Sequence, residues 1–89
     1  MKCVKVLFMG RVQGVGFRAQ TAHKAESLSI SGYVRNNSDG SVEAVFMGPD
    51  EKVEKIIDYC RNSVKNANVT GFEEKETVCT GDHSFRILH

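Results

Sequence analysis

The apolar period of this chain changes from two residues to 3.6 across a short glycine-rich stretch, and that change dictates what the chain can become. Before it, Val4, Val6 and Phe8 alternate with Lys5, a strand pattern with one face on a core. Leu7 and Met9 add apolar groups to the other face, so the spacing predicts a central strand over Cys3–Met9, covered on much of both sides. After it, Phe17, Thr21, Ala25 and Leu28 recur at helical spacing, with Ala22 beside them. The stretch between is Gly10-Arg11-Val12-Gln13-Gly14-Val15-Gly16-Phe17-Arg18. Glycine permits backbone conformations that turn successive N–H groups toward one point. A helix start adds unpaired N–H groups and a partial positive charge. Arg18 adds a full charge on a planar fork of donors. This combination predicts a socket for a small anion such as phosphate.

The rest of the chain supplies the frame. Residues 31–36 read as a second strand, and Asn37-Ser38-Asp39-Gly40 as a turn. Residues 41–47 read as a third strand, paired with the second as a hairpin. Gly48-Pro49-Asp50 stops the sheet, with Asp50 as N-cap of a second helix and Glu51 matching its dipole. Val53, Ile56, Ile57, Cys60 and Val64 follow the helical repeat, and Asn66-Ala67-Asn68 ends that helix. A fourth strand is expected over Val69–Val78, at an edge because Glu73-Glu74-Lys75-Glu76 charges its middle. A short strand over Phe85–Leu88 closes the chain.

This order predicts an α+β fold, a ferredoxin-like β-α-β-β-α-β sandwich with an antiparallel sheet and both helices on one face. The crossover rule and the hairpin put strand three between strands one and two. Strands one and two then run parallel, roughly 10 Å apart, with their C-terminal ends at one edge. The glycine stretch leaves one end and Asn36 stands at the other, so topology brings Arg18 and Asn36 together.

Composition narrows the possible partners. Eighty-nine residues make one domain, spanning 1–89. A formal net charge of +1 gives no support to a broad nucleic-acid face or a membrane-surface role. No apolar run reaches the ~20 residues of a membrane span, and Met1-Lys2-Cys3-Val4-Lys5 does not fit a signal peptide. Cysteines at 3, 60 and 79 are odd in number and form no Cys-x-x-Cys, so neither a disulfide framework nor a metal site is expected. A buried Cys60 thiol, a reducing cytoplasmic setting and a monomer are the corresponding expectations. His23, His83 and His89 fall outside both motifs and read as surface, loop and tail residues, and Tyr33 as core or sheet surface.

Gly10-x-Val12-Gln13-Gly14-Val15-Gly16-Phe17-Arg18, then Gly32-Tyr33-Val34-Arg35-Asn36 and Gly40-Ser41-Val42-Glu43, resembles the acylphosphatase family. The likeness runs along essentially the whole chain. It implies hydrolysis of small acyl phosphates to a carboxylate and inorganic phosphate, with no cofactor and no metal. It implies that Arg18 binds the phosphate and Asn36 places the attacking water. It also implies that backbone amides of Gln13, Gly14, Val15, Gly16 and Phe17 complete the phosphate site, with Val12 at its margin. The chain departs from the family at Ser29, where glycine is usual after the first helix, at Asn66-Ala67-Asn68, and at Asn37 beside the site. A left-handed Ser29 would cost about 1 kcal/mol relative to glycine.

Two other classes fit less well. Gly14-x-Gly16-x-x-Ala19 matches a dinucleotide fingerprint, but the next strand ends in Asn36 rather than an acid, and the chain is too short for a doubly wound sheet. RNA-recognition domains share the element order but need stacking aromatics on the central strands. Strand three instead reads Val42-Glu43-Ala44-Val45-Phe46. A non-catalytic ferredoxin-like domain that binds RNA or a small anion is the alternative to the enzyme.

Overall fold

Strand β1 (Lys2–Arg11) runs through the sheet interior and delivers the chain to the glycine stretch. The computed structural model describes all residues, Met1–His89. Helix α1 (Phe17–Ser27), strands β2 (Ser31–Asn36) and β3 (Val42–Gly48), helix α2 (Asp50–Asn62) and strands β4 (Asn68–Glu76) and β5 (Phe85–Leu88) follow. The sheet order is β4-β1-β3-β2-β5. As the crossover argument requires, β3 lies between β1 and β2, and the charged β4 is an edge. The four strands β4-β1-β3-β2 pair antiparallel, whereas β5 pairs parallel to β2, which makes the five-stranded sheet mixed. This ferredoxin-like α+β architecture thus carries one more strand than its basic plan.

Alternation in the strands builds the core on one side only. Val4, Val6 and Phe8 of β1, Val34 of β2, and Val42, Ala44 and Phe46 of β3 pack with Phe17 and Ala25 of α1 and with Val53, Ile56, Ile57 and Cys60 of α2. Both helices therefore cover the same face. The opposite face carries only a small cluster of Cys3, Val45 and Met47, with Tyr33 against it. Leu7 and Met9 lie half-buried on this open face, not under a covering layer as the apolar run suggested. There the Tyr33 hydroxyl donates to Glu43 Oε2 at 2.6 Å. Burial, and then the bond to Glu43, pushes the phenol up to about 12.

Four expectations need correction. Cys3 and Cys79 form a disulfide, with Cα atoms 5.4 Å apart. The Thr77 N–H donates to Cys3 O at 2.9 Å, and just beyond it the chain turns Cys79 onto Cys3. An odd cysteine count reflected Cys60, which alone stays free and buried. The reasoning from cysteine usage to a reducing compartment falls with that pairing. Helix α2 also ends earlier than expected, at Asn62, because the chain turns through Ser63 and a left-handed Asn66 (φ 69°) while Val64 still buries its side chain. At its other end Pro49, not Asp50, is the N-cap; Asp50 and Glu51 sit in the first turn, where they match the dipole. No helix is long and apolar enough to cross a membrane.

Candidate active site

Val12 is buried in the core and fixes the point where the chain leaves β1. The next residues must turn sharply to start α1, and Gly14 and Gly16 do so at φ 73° and 77°. Gly16 is the N-cap of α1, so no side chain closes the helix end, and the first turn holds no acid. The first helical bond of α1 runs from Gln20 N to Gly16 O at 3.1 Å. Backbone N–H groups from Gln13 to Ala19 have no acceptor within the chain. Those at the uncapped helix N-terminus form a positive end, and the three before Gly16 extend the run of free donors. Phe17 points its ring into the core against Phe8, 5.4 Å between centroids, which anchors the first turn.

Around this helix end lies a cleft of about 250 Å³ lined by Val12, Gly14, Gly16, Phe17, Arg18, Ala19, Asn36, Ile87 and His89. It thus joins the glycine loop, Arg18 and Asn36, which are separate in sequence. Gln13 and Val15 do not line it: Val15 packs partly on the core, and the Gln13 side chain turns away to the β2–β3 connection. Arg18 Nη1 donates to Leu88 O at 3.0 Å, which steadies one arm of the guanidinium and leaves its other N–H groups available. The Asn36 side chain makes no hydrogen bond within the chain and is exposed at the end of β2.

Ile87 and His89 were not expected here. Because β5 runs parallel to β2, its C-terminal end arrives beside Asn36. The parallel pairing was the missing signal; from sequence, Phe85–Leu88 gave a strand but not its neighbour or direction. His23 is exposed on α1, away from the cleft lining.

The charge pattern suits an anion. No Asp or Glu side chain lines the cleft, while Arg18 and the helix end both favour negative charge. A larger groove of about 450 Å³ on the open sheet face has the opposite character. It carries Asp39, Glu43 and Glu73 against Lys5 and Lys75, a poor host for a doubly charged oxyanion. Fold and cleft together define a small ferredoxin-like α+β domain with a glycine-lined cleft, free of Asp and Glu side chains, at the start of its first helix.

Comparisons place that domain. Residues 4–87 match the family described as Acylphosphatase. An acylphosphatase of Methylococcus capsulatus is 46% identical over 89 residues, covering 99% of this chain and 97% of that one. The crystal structure of acylphosphatase from Bacillus subtilis superposes with a TM-score of 0.95 at 31% identity, covering 100% of both chains. An acylphosphatase structure from Coxiella burnetii gives 0.92 at 32% identity, covering 98% of this chain and 92% of that one. The chain belongs to the acylphosphatase family.

Proposed function

We propose that the protein hydrolyses the carboxyl–phosphate bond of small acyl phosphates, with the phosphate held by the glycine loop and Arg18 and the water aimed by Asn36. One observation carries the reading: a single cleft with no Asp or Glu side chain in its lining joins a run of unpaired N–H groups, a guanidinium and a free carboxamide. An acyl phosphate is a mixed anhydride with a good leaving group, so fixing the phosphate, balancing its charge and placing a water in line accelerate its hydrolysis. The loop amides, with those of Gly14, Gly16 and Phe17 at the cleft wall, and the Arg18 fork supply the first two. The Asn36 carboxamide accepts from the water and donates alongside it, so it orients without acting as a base. The water oxygen bonds to phosphorus, the bond to the acyl oxygen breaks, and the carboxylate leaves with the electron pair. The water's proton passes to a phosphate oxygen, because no Asp or Glu side chain lines the cleft to take it.

Steady-state kinetics on benzoyl phosphate, with inorganic phosphate as inhibitor, test the division of roles. Asn36→Ala should lower turnover by roughly 10²–10³-fold, the scale of losing one oriented polar group, and leave phosphate inhibition nearly unchanged. Arg18→Ala should weaken phosphate inhibition as well as turnover. Equal losses of phosphate affinity in the two variants contradict the division. His89→Ala should leave turnover nearly unchanged; a loss as large as that of Asn36→Ala would make the imidazole the proton acceptor instead.

A further inference from the structure

Gln13 stands in the glycine loop, yet its side chain is committed elsewhere. Its Nε2 donates to Asn37 O at 2.7 Å and to Ser41 O at 2.9 Å. Both partners are carbonyl oxygens, so only the NH₂ end of the amide can make these bonds. The two acceptors are the two ends of the β2–β3 turn, and the first belongs to the residue after Asn36. That turn is stiff in its own right. Asn37 N donates to Ser41 O at 2.9 Å, and Asn37 Nδ2 to Ser41 Oγ at 3.0 Å. Asp39 Oδ1 accepts from Ser41 N at 3.0 Å and from Ser41 Oγ at 2.6 Å. These bonds from Ser41 also lower the Asp39 pKa.

We propose that Gln13 is a positioning residue: its side chain fixes the distance and angle between the phosphate loop and the water-orienting Asn36. This inference rests on the function proposed above and adds a role to it. The loop is glycine-rich and follows β1, and Asn36 ends a different strand, so the two halves of the cleft belong to different parts of the sheet. Among side chains of the loop, Gln13 makes the only hydrogen bonds to the turn that follows Asn36. In-line displacement needs the water and the phosphorus aligned, and small misplacements reduce rate steeply. Losing the tie should therefore reduce turnover while phosphate, which contacts the loop and Arg18, binds as before.

A double-mutant cycle on benzoyl phosphate reads this role. Gln13→Met keeps the length of the side chain and removes both donors; Gln13→Leu, also neutral and without a donor, replaces it where the methionine variant does not fold. The expected result is a kcat loss on the order of tenfold with a phosphate inhibition constant within about threefold of the parent. In the Asn36→Ala background the same substitution should cause almost no further loss, because the group it positions is gone. A general structural role would lower kcat by the same factor in both backgrounds, and that outcome overturns the inference while leaving the proposed function intact. An unchanged kcat in the Asn36-containing protein also overturns it. Normal turnover by Asn36→Ala alone would overturn the proposed function and this inference together.

Discussion

Reducing or removing the Cys3–Cys79 disulfide should destabilise the protein substantially. The two cysteines are 76 residues apart in sequence. In the chain-entropy treatment, a loop of that length restricts the unfolded ensemble by about 4.5 kcal/mol at 25 °C. A domain of this size unfolds with an entropy that turns each kcal/mol into ~4–8 °C, so the midpoint should fall by roughly 20 °C or more. The link also ties the segment between β4 and β5 to β1, and β5 brings Ile87 and His89 to the cleft. Thermal unfolding followed by circular dichroism, with and without a phosphine reductant, measures the effect; the Cys3→Ser/Cys79→Ser variant should match the reduced protein. Thiol titration checks the premise. Of three cysteines, only Cys60 should react in denaturant without reductant, and none in the native state, where Cys60 is buried. Three reactive thiols in denaturant alone, or oxidised and reduced midpoints within about 2 °C, would refute the reasoning.

Other substitutions test the backbone and the core. Gly32 has φ 132° and pairs with Phe46 of β3; a methyl group there would overlap the Val45 carbonyl oxygen. Gly32→Ala should therefore cost about 3 kcal/mol in urea unfolding, and a near-neutral result would mean the strand is not held as described. Ser29 adopts φ 55° just after α1, so Ser29→Gly should gain about 0.5–1 kcal/mol, measured the same way. Burial pushes the Cys60 thiol up to about 12, against a small opposing effect from Thr21. A raised folded-state value stabilises fully below the ordinary thiol pKa of 9.0 and is lost as pH rises from there towards 12. Cys60→Ala, which lacks a titrating thiol, should show a shallower loss of stability between pH 9 and 11 than the parent.

Local pattern carried most of the fold. The i, i+3, i+4 spacing of Val53, Ile56, Ile57 and Cys60 announced α2 because only one helical face could be buried. Alternation at Val4, Val6 and Phe8 announced the core face of β1, and the charged middle of β4 announced an edge. Handedness then brought Arg18 and Asn36 to one cleft. What stayed hidden was decided by long-range meetings that no local period encodes. The Cys3–Cys79 link joins two ends of the chain. The parallel pairing of β5 with β2 put His89 and Ile87 at the cleft. The family likeness points only to the backbone amide of Gln13, and only the folded turn shows what its side chain holds.

Titration of uniformly ¹⁵N-labelled protein with inorganic phosphate, followed amide by amide, confronts the phosphate socket directly. The account predicts saturable shifts concentrated on residues 13–18 and on the Arg18 guanidinium, lost in Arg18→Ala. Saturable shifts centred instead on Lys5, Lys75 and the open sheet face, with the glycine loop unmoved, would contradict it.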